Sequence, residues 1–176
     1  MVNGKFPSLE ESLAEVLVLV KELEEKNGVS IPVIAGGGVR NHADVERLLQ
    51  MGASAVQVGT KFVATEECDA SMAYKQAYLD SRAEDVRIIE SPVGLAARAI
   101  QNPFLQKAEE MGRIPVDHCY GCMGHCKPAA TKYCISQKLI DSVDGGEGLV
   151  FCGAYAHELQ ELSTVEEVMK ELCGEI

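Results

Sequence analysis

Three consecutive glycines place the strongest constraint on how this chain folds. They are Gly36, Gly37 and Gly38, and they directly follow residues 31–35, a short segment that is apolar throughout. A strand that is apolar on both faces is typical of a parallel sheet covered by helices. Asn41 then predicts the start of a helix, because an asparagine side chain accepts a hydrogen bond from a first-turn amide. The segment therefore predicts a strand, a glycine turn and a helix, in that order.

A second apolar segment follows that helix and also ends in a turn. Residues 55–58 form the next predicted strand, and Gly59 and Thr60 come directly after it. A strand–helix–strand unit with short turns has parallel strands, so both turns are expected at the same edge of the sheet. Ahead of this unit, Ser8 and Glu11 match the capping box that begins a helix. The first part of the chain is therefore expected to be α/β.

The rest of the chain indicates helices and loops. We expect a division near residue 90, with an α/β part at residues 1–90 and a helical, cysteine-rich part at residues 91–176. The last helix is expected to begin with a second capping box, formed by Ser163 and Glu166. The other expected elements are a helix at 67–80, a strand at 86–89, a helical stretch at 92–112 broken at Pro103, and a helix at 133–143.

Charge and hydropathy exclude several classes of protein. The chain has 16 basic and 27 acidic residues and a formal net charge of −11, which repels a nucleic acid backbone. No apolar run approaches the ~20 residues of a membrane-spanning helix. The first residues lack the apolar core of an export signal. We therefore expect a cytoplasmic protein with no nucleic-acid or membrane partner.

The two glycine turns are candidates for a phosphate-binding site. Glycine permits backbone conformations in which several amides converge, and a helix that starts just beyond the turn adds free N–H groups. Two such turns at neighbouring strands can hold one phosphate without a basic side chain. Lys61, which follows the second turn, either adds a charge to this site or is simply solvated. The alternative for the glycines is that they only permit tight turns.

These segments resemble the nitronate monooxygenase family, once called 2-nitropropane dioxygenases, which includes the similar flavin-dependent enoyl-ACP reductases. Residues 31–39, 52–62 and 94–102 carry the resemblance. It implies the last β/α units of a (β/α)₈ TIM barrel that binds FMN. By position it also implies a set of contacts to the phosphate of the cofactor: Gly36, Gly37, Gly38, Gly59 and Thr60. Gln57 is expected at the same mouth of the barrel, toward the flavin.

The resemblance also implies that a part of the family's pattern is missing from this chain. The family's catalytic histidine belongs to a segment that precedes the first helix here, and a full barrel usually takes ~250 residues. None of the four histidines matches it: His42, His118, His125 and His157. We therefore expect the C-terminal half of a flavoenzyme, with no catalytic residue of its own and inactive in isolation. Its expected partner is a second copy of the chain or a separately encoded N-terminal half.

Three functions follow from the resemblance. The first is FMN-dependent oxidation of a nitronate by oxygen. The second is FMN-dependent reduction of an enoyl thioester. The third is a non-catalytic flavin- or metal-binding subunit.

Four of the seven cysteines lie close together and are candidate metal ligands. These clustered cysteines are Cys119, Cys122, Cys126 and Cys134. In a reducing compartment such a cluster points to metal or redox chemistry before disulfides. Three alternatives stay open: an iron–sulfur cluster, a zinc ion that His118 or His125 helps to bind, or thiols without metal. Cys68, Cys152 and Cys173 are scattered and are expected to be small buried hydrophobic residues.

Overall fold

The computed structural model describes residues 7–175, and the chain divides into two compact units. The parallel-pair unit contains residues 1–62 and 164–176, and the hairpin unit contains residues 63–163. This division follows contacts within the chain. The division expected near residue 90 rests on the change in sequence pattern there and stays a prediction.

The described residues form seven α-helices and four strands. In chain order they are α1 (Leu9–Asn27), β1 (Ile34–Gly36), α2 (His42–Gln50), β2 (Ala55–Gln57), α3 (Thr60–Val63), α4 (Met72–Leu79), β3 (Val86–Glu90), β4 (Ala96–Ile100), α5 (Pro103–Met111), α6 (Ile135–Val143) and α7 (Val165–Cys173). Short 3-10 helices lie at Ala83–Asp85 and Ala156–Glu158. None of the helices within residues 7–175 combines the length and hydropathy of a membrane span.

The expected starts of α1 and α2 are confirmed. Ser8 accepts a hydrogen bond from the Glu11 amide, and the Glu11 carboxylate accepts one from the Ser8 amide, which completes the capping box. The Asn41 side chain accepts from the Asp44 amide at 3.1 Å and so caps α2. Both caps satisfy first-turn amides that have no partner inside the helix.

The expected parallel pairing is confirmed as well. β1 and β2 form a two-stranded parallel sheet in which Ile34 pairs with Ala55 and Gly36 pairs with Gln57. Buried side chains from the helices and strands of this unit pack into one core: Leu13, Ala35, Val39, Leu48, Ala53, Val168 and Leu172. The core covers one side of α1 only, since Val18 and Leu19 on its other side are about 60% exposed. The helix α2 thus connects two parallel strands, as in other α/β folds.

The hairpin unit differs from the expected helical stretch at 92–112. Residues 96–100 form β4, which pairs antiparallel with β3 from Val86↔Ile100 to Glu90↔Ala96. The turn between the strands closes through the Ser91 amide, which donates to the Leu95 carbonyl at 3.0 Å. Alanine and arginine favour helix locally, but the neighbouring strand supplies hydrogen bonds that outweigh this small preference. The helical expectation for 92–100 is therefore wrong, while α5 begins at Pro103 as expected.

The last helix begins one residue later than expected. Thr164, not Ser163, is the N-cap, and its capping-box partner is Glu167, not Glu166. The backbone of Ser163 is held extended by two hydrogen bonds, since its amide donates to Ala64 and its carbonyl accepts from Glu66. The Ser163 carbonyl is thus occupied by the bridge, and the first hydrogen bond of the helix goes from the Val168 amide to the Thr164 carbonyl, so the helix starts at Val165.

Residues 114–134 form a long loop, called the cysteine loop below. Its base is closed where the Ile114 amide donates to the Lys132 carbonyl at 2.7 Å. Next to it lies a core that contains Phe104, Leu105, Tyr133 and Leu149. The rings of Phe104 and Tyr133 meet edge to face with centroids 5.1 Å apart. The loop is thus attached at its end to a packed core.

Candidate functional site

The two glycine turns leave the same edge of the parallel strand pair. Gly36 ends β1 and is paired with Gln57, which ends β2, so both chains turn away at the same level of the sheet. A Cβ atom added to Gly36 would lie 3.3 Å from the Gln57 Oε1 atom. The Gln57 side chain therefore lies against the backbone of the first turn. The structure brings these two predicted site residues together.

The first turn has a backbone that requires glycine. Gly37 has φ 107° and Gly38 has φ 67°, both in the region that side chains with a Cβ atom disfavour. No atom lies within 4 Å of the place where a Cβ of Gly37 would be, so the space beside it is open. Within residues 7–175, the amide of Gly38 finds no acceptor, and the same holds for the amide of Gly59. These turns consequently present backbone donors at an accessible surface.

The second turn leads directly into α3. The Gly59 carbonyl accepts a hydrogen bond from the Phe62 amide at 3.0 Å, and Thr60 is the first residue of α3. Lys61 forms an ion pair, because its Nζ atom lies 2.7 Å from the Glu171 carboxylate. Anion binding at this edge would therefore depend on backbone amides more than on this lysine.

The four clustered cysteines line one cavity in the hairpin unit. The cavity has a volume of about 220 Å³, and its remaining wall is mostly apolar: Pro92, Val116, Gly121, Met123, Pro128, Thr131, Tyr133 and Ile135. Neither His118 nor His125 belongs to that wall. Within residues 7–175, no three side chains of His, Cys, Asp or Glu converge as ligands of a single metal ion. The cysteines share a cavity without meeting at one point.

Two cysteines of the hairpin unit have a raised pKa. Burial raises the pKa of the Cys126 thiol, and the negative charges of the other three clustered cysteines raise it further. Burial raises the pKa of Cys152 to about 11, although the charge of Arg98 opposes this shift. Cys152 is therefore a protonated thiol at neutral pH.

Sequence reasoning missed one buried polar atom in the hairpin unit. The Nδ1 atom of His157 is buried and has no hydrogen-bond partner among the described residues. His157 follows the 3-10 helix start at Ala156, whose side chain is fully buried. No local pattern around a single histidine signals such burial, because its neighbours in space come from distant segments.

The fold and this edge define an α/β protein with two turns, one of them a run of glycines, at one end of a parallel strand pair. The chain belongs to the nitronate monooxygenase family, whose family model matches residues 3–175. The family resemblance expected from the sequence is thereby confirmed. Its members are oxidoreductases, as the names of the relatives state.

Individual relatives agree with this assignment. A protein named "Probable nitronate monooxygenase" from Bacillus subtilis is 27% identical over 174 residues, which cover 98% of this chain and 48% of that protein. The structure of FabK from Thermotoga maritima is similar with a TM-score of 0.60 and 26% identity, over 90% of this chain and 47% of that one. Nitroalkane oxidase from Streptomyces ansochromogenes has the same fold over 98% of this chain and 44% of its own, with a TM-score of 0.66 and 23% identity. The chain thus spans about half the length of these proteins.

Proposed function

We propose that this chain supplies the phosphate-binding edge of an FMN-dependent oxidoreductase of the nitronate monooxygenase type. The pairing of Gly36 with Gln57 carries the proposal, since it brings both turns to one edge of the sheet. In (β/α)₈ barrels, the loops after the last two strands often form a phosphate site. Accordingly, β1, α2 and β2 are assigned to the last β/α units of such a barrel.

The backbone of the turns suits a phosphate group. The amides of Gly38 and Gly59 have no acceptor within the described residues, and a phosphate oxygen accepts such bonds well. The absence of a Cβ atom at Gly37 and Gly59 leaves open space beside the backbone. Gly36, Gly37, Gly38, Gly59 and Thr60 would hold the phosphate, and Gln57 would border the ring-bearing part of the cofactor.

When bound, FMN supplies the electron acceptor for oxidation of a nitronate, with oxygen as the final oxidant. This chain's own contribution is to bind and orient: the turns fix the phosphate end, and the Gln57 carboxamide lies against the first turn. A fixed phosphate positions the rest of the cofactor at the same mouth, which is a contribution of proximity and orientation. The residue that removes a proton from the substrate is expected outside this chain, as the resemblance implies.

A second candidate is reduction of an enoyl thioester by the same cofactor. The likeness to FabK at a TM-score of 0.60 and 26% identity supports it. Both candidates use the same phosphate-binding edge, because that edge binds the cofactor and not the substrate. The nitronate reaction is favoured by the match of the family model to nearly the whole chain.

Binding of FMN and riboflavin to the purified chain tests the phosphate claim. We expect FMN to bind at least tenfold more tightly than riboflavin, because a hydrogen bond to a charged group contributes about 1.5–3 kcal/mol. Quenching of flavin fluorescence measures both affinities. Gly37→Ala should lower FMN affinity about tenfold or more and leave riboflavin binding almost unchanged, since φ 107° is unfavourable for alanine and the turn must move.

Gly94→Ala is the matched control. Gly94 also has a positive φ, 82°, and open space around it, but it lies in the hairpin unit. Gly94→Ala should lower the free energy of unfolding by about as much as Gly37→Ala does, and it should leave the affinity for FMN unchanged. Equal affinities for FMN and riboflavin, or equal losses in the two variants, would contradict the proposal.

A further inference from the structure

The cysteine loop contains an unassigned group of four thiols around one cavity. Four cysteines line about 220 Å³ of mostly apolar space, and all four are free. Cysteine thiolates in a tetrahedral set bind zinc or iron–sulfur clusters. A single ion and a cluster differ in how closely the four sulfur ligands must converge.

A single zinc ion does not match this arrangement. Four sulfurs at about 2.3 Å from one ion lie only about 3.8 Å from each other and close around it. In residues 7–175, however, no three side chains of His, Cys, Asp or Glu converge as ligands of one ion. In a [4Fe–4S] cluster each cysteine binds a different iron, so the four ligands surround a group larger than one ion. Four cysteines that line a cavity of about 220 Å³ agree with such a group.

Two parts of the backbone hold the thiols toward the cavity. Cys134 is the N-cap residue of α6, a helix of nine residues, and its side chain makes no capping hydrogen bond. A thiolate at that position is stabilised by the positive end of the helix dipole. Gly121, between Cys119 and Cys122, has φ 62°, a backbone conformation that favours glycine. The Cys126 amide donates to the Met123 carbonyl at 3.3 Å, which forms a turn.

The length of the loop also points to a ligand. Residues 114–134 contain no helix or strand until α6 begins at Ile135. Loops of this length without secondary structure are uncommon in compact domains and are usually functional or disordered. This one is closed at its base and connected to a packed core. A bound group inside the loop would supply the interactions that the loop does not make with itself.

We propose that Cys119, Cys122, Cys126 and Cys134 bind one [4Fe–4S] cluster in the cavity of the cysteine loop. Each thiolate binds one iron, and the rest of the cavity wall is mostly apolar. The cysteine loop belongs to the hairpin unit and the glycine turns to the parallel-pair unit.

Metal and sulfide content after anaerobic reconstitution with iron and sulfide tests the proposal. We expect about four iron and four sulfide per chain in the unsubstituted protein. C122S and C126S should each lose more than half of the bound iron. C173S is the control, because Cys173, expected from the sequence to be buried, is an exposed cysteine at the end of α7, and the variant should retain all of the iron. One zinc per chain without iron, two iron per chain, no metal, or full iron in C126S would each overturn the proposal.

Alkylation of the unsubstituted protein provides a measurement that does not depend on a variant's folding. In the iron-loaded chain the four clustered cysteines should react with iodoacetamide at least tenfold more slowly than Cys173. Removal of iron by a chelator should abolish this protection, and peptide mass analysis assigns each cysteine. Equal reaction of Cys126 and Cys173 in the iron-loaded chain would overturn the proposal. Gly37→Ala should retain its iron, so failure of the flavin proposal and failure of this one are distinguishable.

Discussion

The two compact units of this chain each contain an apolar core, and their distant segments are joined by different polar contacts. In the parallel-pair unit, side chains make such contacts: Lys61 pairs with Glu171, and the Nδ1 atom of His42 lies 2.9 Å from the Leu172 carbonyl oxygen. In the hairpin unit, backbone hydrogen bonds join distant segments, such as the Ile100 amide to the Val150 carbonyl and the Leu149 amide to the Lys138 carbonyl. The segments of the hairpin unit are therefore held together by close approach of their backbones.

The candidate sites differ in the same way. The glycine turns follow directly from two paired strands, so their geometry depends on a short stretch of chain. The four clustered cysteines are placed by a loop whose ends are held by contacts with distant residues. A change in the packing of the hairpin unit should therefore disturb the cysteine loop, whereas the turns should tolerate it.

Gly148→Ala should have the largest effect, and it should be confined to the hairpin unit. A Cβ atom at Gly148 would overlap the Lys138 carbonyl oxygen and lie 2.6 Å from the Ser142 amide nitrogen, both backbone atoms of α6. Such overpacking typically costs 1–3 kcal/mol and occasionally more, so we expect a loss of about 3 kcal/mol. Urea unfolding measures the loss, and hydrogen exchange locates it.

Gly124→Ala is the control for this substitution. It lies in the same unit with no atom within 4 Å of the added Cβ, and it should change stability by less than about 0.5 kcal/mol. If Gly148→Ala were as stable as Gly124→Ala, close backbone contacts would not be what stabilises the hairpin unit.

Asp44→Asn should have the next largest effect, in the parallel-pair unit. The Asp44 carboxylate is buried and accepts hydrogen bonds from the side chains of Arg40 at 2.9 Å and Arg47 at 2.8 Å. Both arginines are partly exposed, which weakens the interaction, so we expect a loss of about 2 kcal/mol at pH 7. Thermal unfolding of the two proteins measures it.

The pH dependence of this loss has a definite sign. The hydrogen bond from Arg40 holds the pKa of Asp44 below its usual range. A carboxyl with a lowered pKa in the folded state stabilises the protein above its unfolded pKa of about 3.9. That stabilisation is lost as the pH falls through the lower folded pKa, so the difference from Asp44→Asn should vanish in acid. Glu22→Gln, at an exposed position of α1, should show no comparable loss at pH 7.

Thr164→Ala should have the smallest of the three effects. The Thr164 side chain accepts from the Glu167 amide at 3.2 Å at the start of α7, and loss of an N-cap costs about 1 kcal/mol. Ser163→Ala should cost less than about 0.5 kcal/mol, because only the backbone of Ser163 makes the bridge to Ala64 and Glu66. If Ser163→Ala lowered the free energy of unfolding more than Thr164→Ala, the cap at Thr164 would be wrong and Ser163, as expected from the sequence, would be the N-cap.

Local patterns predicted the parallel-pair unit well. The capping box of Ser8 and Glu11, the cap at Asn41 and the parallel order of the two strands are all present in the structure. Each of these features depends on residues within a few positions of one another, or on a connection too short to permit another arrangement. The position of both turns at one edge followed from the same reasoning.

The hairpin unit was predicted less well, for a physical reason. Residues 96–100 have the composition of a helix, yet β3 supplies hydrogen bonds that make them a strand. The start of α7, which belongs to the parallel-pair unit, was also predicted wrongly: Thr164 replaced Ser163 as a cap because a distant segment holds the Ser163 backbone. Both errors arose where the partner of a backbone group comes from elsewhere in the chain.

The sequence alone determined the helix caps, the order of strand, glycine turn and helix, and the resemblance to the nitronate monooxygenase family. Only the tertiary structure decided that Gln57 lies against Gly36, that four cysteines share one apolar cavity, and that His157 Nδ1 is buried without a partner in residues 7–175. The physical reason is the range of the interactions. Propensities and caps act over one helical turn, whereas a cavity exists only after segments far apart in the chain have packed together.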